Sequence, residues 1–124
     1  MRLLLDTHVV LWWQTDDRRL GREARKAIAT ADIVWVSAVS GWEASIKVAQ
    51  GRLRLDEKFR LLIAVDGFTE LPVNLTHTER LLDLPAHHAD PFDRLLVAQA
   101  LAERATLVSH DRALEPYGAE MIWT

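Results

Sequence analysis

The sequence of 124 residues contains no cysteine, which removes disulfide staples, thiolate zinc sites and a cysteine nucleophile together. It also lacks a long apolar run. The opening stretch MRLLLDTH is interrupted by charge after three leucines, too early for a secretory signal. Nowhere do the roughly 18 consecutive apolar residues of a membrane span occur. A cytoplasmic protein that does not enter a membrane is the expectation. Glycine and proline are few, at 5 and 4 residues, and they do not gather into a linker. Without repeats or low-complexity tracts either, the chain is expected to be a single domain over 1–124, long enough to bury a real core. No Walker motif and no G-x-S-x-G occurs, so P-loop and α/β-hydrolase chemistry have no support. Charge of either sign is not dominant: the net value is −3, which argues against coating nucleic acid by charge alone. Most basic residues are nevertheless arginine, suited to bidentate phosphate contacts, and a carboxylate-held metal can supply positive charge locally.

Three short runs, 3–5, 33–36 and 106–108, are apolar without alternation, as suits strands buried on both faces of a parallel sheet. A weaker run at 70–73 contains Pro72, which favours a sheet edge, and 121–123 is a fifth candidate. Helices are predicted over 21–31, over 39–50 with Gly51 as stop, over 56–66 with Gly67 as stop, and over 76–83 before Pro85. The clearest is PFDRLLVAQALAER, 91–104, with Pro91 in the first turn and Asp90 as N-cap. Alternating strands and helices predict an α/β fold, a three-layer α/β/α sandwich around a central, mainly parallel sheet.

Four acids fall around one edge of that sheet. Asp6 follows the first strand, Asp111 lies three residues beyond 106–108, and Glu43 is placed in the first turn of the helix after 33–36. Ligand sites in open parallel sheets form beyond the carboxyl ends of the strands. Asp93, in the first turn of 91–104, reaches that edge only if its helix starts there. Two carboxylates about 4 Å apart repel by about 4 kcal/mol at an effective dielectric near 20, so such a cluster raises its pKa values or binds a cation. An all-oxygen site without cysteine or paired histidines favours Mg²⁺ or Mn²⁺ over zinc, and an ion there suits phosphodiester hydrolysis.

Each acid also has a structural explanation. Ser40-Gly41-Trp42-Glu43 fits a capping box, which alone would account for Glu43. Asp90 reads as a cap, and Asp93 as a first-turn acid, although it shares a face with Leu96, Val97, Ala100 and Leu101 and so points inward. Asp111 is evenly divided between capping the last short helix and function. Asp6 has the least structural reason to exist, because it stands directly after a buried leucine run. The His87-His88 pair lacks the spacing of a helical zinc site and reads as solvated loop. Trp12 and Trp13 cannot both face inward on one helix, so one is expected to be exposed for a partner.

The segments LLLDTHVVLWW, SAVSGWEASIKVAQGRL, LPAHHADPFDRLLVAQA and LVSHDRAL, taken in this order and spacing, resemble the PIN-domain ribonucleases, and among them the VapC-type toxins of bacterial toxin–antitoxin pairs. The resemblance runs from Asp6 to the 117–123 segment. It implies the PIN-like fold and a metal-dependent endoribonuclease, with Asp6, Glu43, Asp93 and Asp111 as catalytic and metal-holding residues. It further implies Mg²⁺ or Mn²⁺ as cofactor, Ser109 as a residue that holds a water or helps position the ion, an RNA substrate, a cognate antitoxin and a homodimer. Arg94, Lys47 and Arg112 are weighed as phosphate contacts against an equal expectation of ion pairing or solvent exposure. Two rivals stand beside this. A haloacid-dehalogenase-type phosphatase expects an acid two residues after Asp6, where His8 stands. A non-catalytic RNA- or protein-binding module would use the acids for a structural ion only.

Overall fold

The computed structural model describes residues 1–86 and 90–124. In chain order the elements are β1 (Arg2–Leu5), α1 (Thr7–Gln14), α2 (Arg22–Thr30), β2 (Ile33–Ser37), α3 (Ala38–Ala49), α4 (Phe59–Val65), β3 (Thr69–Leu71), α5 (Leu75–Arg80), α6 (Pro91–Glu103), β4 (Thr106–Ser109) and β5 (Met121–Trp123). Short 3-10 turns at Leu81–Asp83 and Arg112–Tyr117 follow α5 and β4. The strands form one sheet in the order β3-β2-β1-β4-β5, and every pair in it is parallel. The expected α/β/α architecture holds, with the sheet parallel throughout.

The unbroken apolar character of the strands follows from the covering of both faces. Leu3, Leu5, Val34, Val36 and Val108 point into one core, against Val9 and Val10 of α1, Ala24 and Ile28 of α2 and Ile63 of α4. Leu4, Trp35 and Leu107 point into the other, against Val39 of α3 and Leu96, Val97 and Ala100 of α6. Successive strand side chains alternate between faces, so a strand wanted by two cores must be apolar at every position. β3 is an edge strand, as Pro72 requires, and ends one residue before it. Among the described residues no helix is long and apolar enough to cross a membrane.

Several elements depart from the sequence expectations in detail. The stop at Gly67 is real, with its φ of 78° permitted by the missing side chain, but α4 starts at Phe59 rather than near 56. The helix expected over 76–83 divides into α5 and a 3-10 turn. Trp12 is buried and Trp13 half-buried against Phe68, with ring centroids 5.7 Å apart. The openly exposed tryptophan is Trp42, at 59%, so the exposed aromatic lies on α3 rather than on α1.

A buried polar pin ties α5 to α6. The Asn74 backbone N–H donates to His77 Nδ1 at 3.2 Å, and Gln99 Nε2 lies 3.3 Å from the same nitrogen while donating to the Pro72 carbonyl at 3.2 Å. With Nδ1 accepting, the ring proton sits on Nε2, which donates to the Glu103 carboxylate at 2.8 Å. His77 and Gln99 are both fully buried. Replacing the imidazole would strand buried partners and open a cavity. His77→Ala is expected to destabilise the fold by roughly 2–4 kcal/mol in urea titrations; a loss below about 1 kcal/mol, the net worth of a typical hydrogen bond, would show that the pin is dispensable.

Candidate metal centre

Asp6 is the first residue beyond the buried leucines of β1, and only 3% of it is exposed. Its backbone N–H donates to the Val108 carbonyl at 3.0 Å, continuing the β1–β4 ladder past the end of the strand. One carboxylate oxygen accepts the Val9 N–H at 2.9 Å and so caps α1. The other accepts the Ser109 hydroxyl at 2.5 Å, across 103 residues of chain. Asp6 therefore has a structural duty, helix capping, that its sequence context does not disclose. Even so, burial pushes its pKa above the ordinary carboxylate value; the Ser109 and Val9 hydrogen bonds, and attraction to His110 and His8, oppose the shift without cancelling it. A carboxylate offers about four lone-pair positions, and these two bonds leave room for a further ligand.

Two histidines converge on it. Donor atoms of Asp6, His8 and His110 all lie within 4.8 Å of one another, with His110 Nδ1 at 3.8 Å from Asp6 Oδ2. The two imidazoles stand nearly perpendicular, 76° apart, at a centroid distance of 5.0 Å. Trp12 backs both rings, 4.9 Å from His110 and 6.0 Å from His8. Partial burial of the ring, then the Lys47 charge, pull His8 below its ordinary pKa, against the opposing pull of Asp6, which favours the neutral, ligating form. Sequence reasoning treats His8 only as the residue in place of a phosphatase acid and passes over His110. The signal was there: each lies within two residues of an acid, at the carboxyl ends of strands that turn out to be neighbours.

The other predicted acids open at the same edge but do not join that tight group among the described residues. Glu43 lies in the second turn of α3, not the first, because Ser37 is the N-cap, accepting the Val39 N–H at 3.0 Å. Ser40 instead accepts the Thr7 hydroxyl at 2.9 Å, so the capping-box explanation of Glu43 fails. Glu43 pairs with Lys47 at 3.4 Å and shares a cavity of about 390 Å³ with His8, Asp90 and Phe92. Asp93 stands in the first turn of α6 behind its N-cap Asp90, which accepts the Phe92 N–H at 2.8 Å. Only Arg104 and Ala105 separate α6 from β4, so the helix runs back along the sheet and begins at the carboxyl edge. The Phe92 ring meets Trp42 of α3 there, at 4.9 Å. Asp111 caps the following 3-10 turn through the Ala113 N–H at 3.0 Å, and its own N–H donates to Ser109 Oγ at 3.1 Å. Ser109 thus bridges Asp111 to Asp6.

The three basic residues weighed as phosphate contacts each have another partner. Lys47 holds Glu43, Arg94 points at the Leu81 and Leu84 carbonyls at 3.4 and 3.3 Å, and Arg112 lies over the Trp123 ring at 4.6 Å. His87 and His88 lie outside the described residues. A buried carboxylate with spare lone pairs, two imidazoles within reach and further carboxylates along the same edge form a donor set that fits a divalent cation.

Comparison with known proteins agrees with this architecture. The family model described as PIN domain matches residues 3–119. Ribonuclease VapC22 of Mycobacterium tuberculosis is 31% identical over 120 residues, covering 93% of this chain and 91% of that protein. The structure of VapBC2 from Rickettsia felis bound to a DNA fragment from its promoter superposes with a TM-score of 0.74 at 16% identity, over 98% of both chains. A toxin–antitoxin complex from Klebsiella pneumoniae gives 0.67 at 17% identity, over 97% of this chain and 95% of that one. With the family model spanning nearly its whole length and a relative of matching extent, the chain belongs to the PIN-domain family.

Proposed function

We propose that this protein is a metal-dependent endoribonuclease and the toxin of a toxin–antitoxin pair. The observation that carries the reading is the buried, charge-strained Asp6 at the carboxyl edge of a PIN-domain sheet, in a chain similar to a ribonuclease over nearly its whole length. An acid that is costly to bury persists where it does chemistry. In this reading Asp6, Glu43, Asp93 and Asp111 hold Mg²⁺ or Mn²⁺ and act on the phosphodiester, a cognate antitoxin restrains the enzyme, and the active form is a homodimer.

The chemistry the ion supplies when bound is neutralisation of the phosphodiester and acidification of a water. The protein's own part is orientation. Val9 N–H and the Ser109 hydroxyl fix both Asp6 oxygens, so the carboxylate needs no rearrangement when the phosphate arrives. Glu43 faces the cavity it shares with His8, and Lys47 keeps its carboxylate in place there as a ligand for the ion. A second cavity of about 620 Å³ shares His8, Lys47 and Arg52 with the first. Together they make a groove for an RNA strand lying across the site, with Arg52 along it to meet phosphate.

Two expectations follow. Purified protein incubated with total RNA and Mg²⁺ or Mn²⁺ should yield discrete fragments that disappear with EDTA, and Asp6→Asn or Asp93→Asn should lower the rate at least about a hundredfold, the scale of losing a stabilising group at a reaction centre. Unchanged cleavage by both variants would reject the catalytic assignment, and metal-dependent stability without any cleavage would favour a binding module. The second concerns stability. Because the Asp6 pKa is raised on folding, the ionised carboxylate destabilises the fold above the ordinary value of 3.8, increasingly as pH rises through the folded-state pKa. Asparagine caps helices as well as aspartate. In EDTA at pH 7 Asp6→Asn should therefore melt a few degrees above the wild type, with the gap closing toward pH 4; a variant that melts lower at pH 7 would contradict the burial argument.

A further inference from the structure

The acids that define the nuclease reading are oxygen donors, yet the tightest donor group among the described residues contains one carboxylate and two imidazoles. We propose that Asp6, His8 and His110 together form a mixed oxygen–nitrogen site that selects a transition-series divalent cation such as Mn²⁺, Co²⁺ or Zn²⁺ over Mg²⁺. The inference deepens the proposed function, from which it takes the place of the ion.

Mg²⁺ is small, holds its water tightly and takes oxygen ligands in near-ideal octahedra. Neutral imidazole nitrogen is a poor exchange for that water, but a good ligand for first-row transition ions. A site that offers two imidazoles to one ion therefore shifts the preference. Bonds of about 2.1 Å place adjacent donors about 3 Å apart and opposite ones about 4.2 Å apart. The His110 Nδ1–Asp6 Oδ2 distance of 3.8 Å falls between those two values, and no separation in the group exceeds 4.8 Å. His8 is exposed on the first turn of α1. Asp6 is the rigid member, held by Val9 and Ser109. Trp12 holds the His110 ring from behind, with the Arg19 guanidinium over its indole at 4.9 Å. Among the described residues no hydrogen bond occupies either imidazole, so the ring nitrogens are available to an ion.

The competing account is an aromatic cluster: His8, His110 and Trp12 packing the sheet edge with no ligand. The two differ in ion binding, not in fold. Mn²⁺ affinity is read from the loss of the free-ion electron paramagnetic resonance signal, Mg²⁺ affinity by calorimetry, and imidazole ligation from ¹⁵N ring resonances on addition of Zn²⁺. These are measured on wild type, His8→Ala and His110→Ala, each checked by thermal melting. The wild type should bind Mn²⁺ at least about tenfold tighter than Mg²⁺. Each alanine variant should lose about tenfold or more of its Mn²⁺ affinity while its Mg²⁺ affinity moves less than about threefold, and both wild-type rings should shift with Zn²⁺. Equal losses for the two ions, unshifted rings, or a lowered melting temperature with unchanged Mn²⁺ affinity would each overturn the proposal in favour of packing. RNA cleavage is not among the readouts. Imidazole-dependent Mn²⁺ binding in a protein that cuts no RNA would leave this site standing and remove the nuclease reading, whereas metal-dependent cleavage with indifferent histidines would do the reverse.

Discussion

A sheet covered on both faces has nowhere to place a charge except at its ends, and the arrangement of this protein follows from that constraint. β1 is the central strand, and its three leucines are fully buried in the two cores. The chain can become polar only when it leaves the sheet, and it does so at once, with Asp6. That carboxylate is still close enough to the core to be almost dehydrated, which makes it costly as an ion and receptive to a cation. Helix capping and the Ser109 hydroxyl offset part of the cost and, more usefully, remove its rotational freedom.

The neighbouring elements inherit their positions from the same edge. Parallel pairing makes every strand exit on one side, so α1 and α3 begin there directly after β1 and β2. The helix α6 reaches it by the opposite route, because it enters β4 after two residues and must run antiparallel to the strands. Contacts between Phe92 and Trp42, and between Thr7 and Ser40, then stitch the helix starts together. The His77 pin secures the other end of α6, so the helix that bears Asp93 is anchored at both ends.

Much of this was legible in the sequence, for a physical reason. Strands buried on both faces leave unbroken apolar runs, and glycine stops and the Asp90-Pro91 cap mark helix ends regardless of tertiary context. The site was legible as a set of acids following strands, because chain connectivity alone carries them to the carboxyl edge. What escaped depends on contacts distant in sequence. The approach of His110 to Asp6 requires β1 and β4 to be adjacent, which no local pattern states. The cap of α3 falls on Ser37 rather than Ser40 because β2 runs one residue longer and passes into the helix without a loop. Trp42 was not singled out as exposed because its helix is buried on only one side, and only the packing of α3 against its neighbours decides which.

The hydrogen bond between Ser109 and Asp6 joins residues 103 positions apart, and this gives the site a place in the timing of synthesis. During synthesis Asp6 precedes by 103 residues the hydroxyl of β4 that orients its carboxylate. Until β4 is made, Asp6 lacks its strand neighbour, Ser109 and His110. The arrangement around Asp6 is therefore absent from any nascent intermediate in which β4 has not yet joined the sheet.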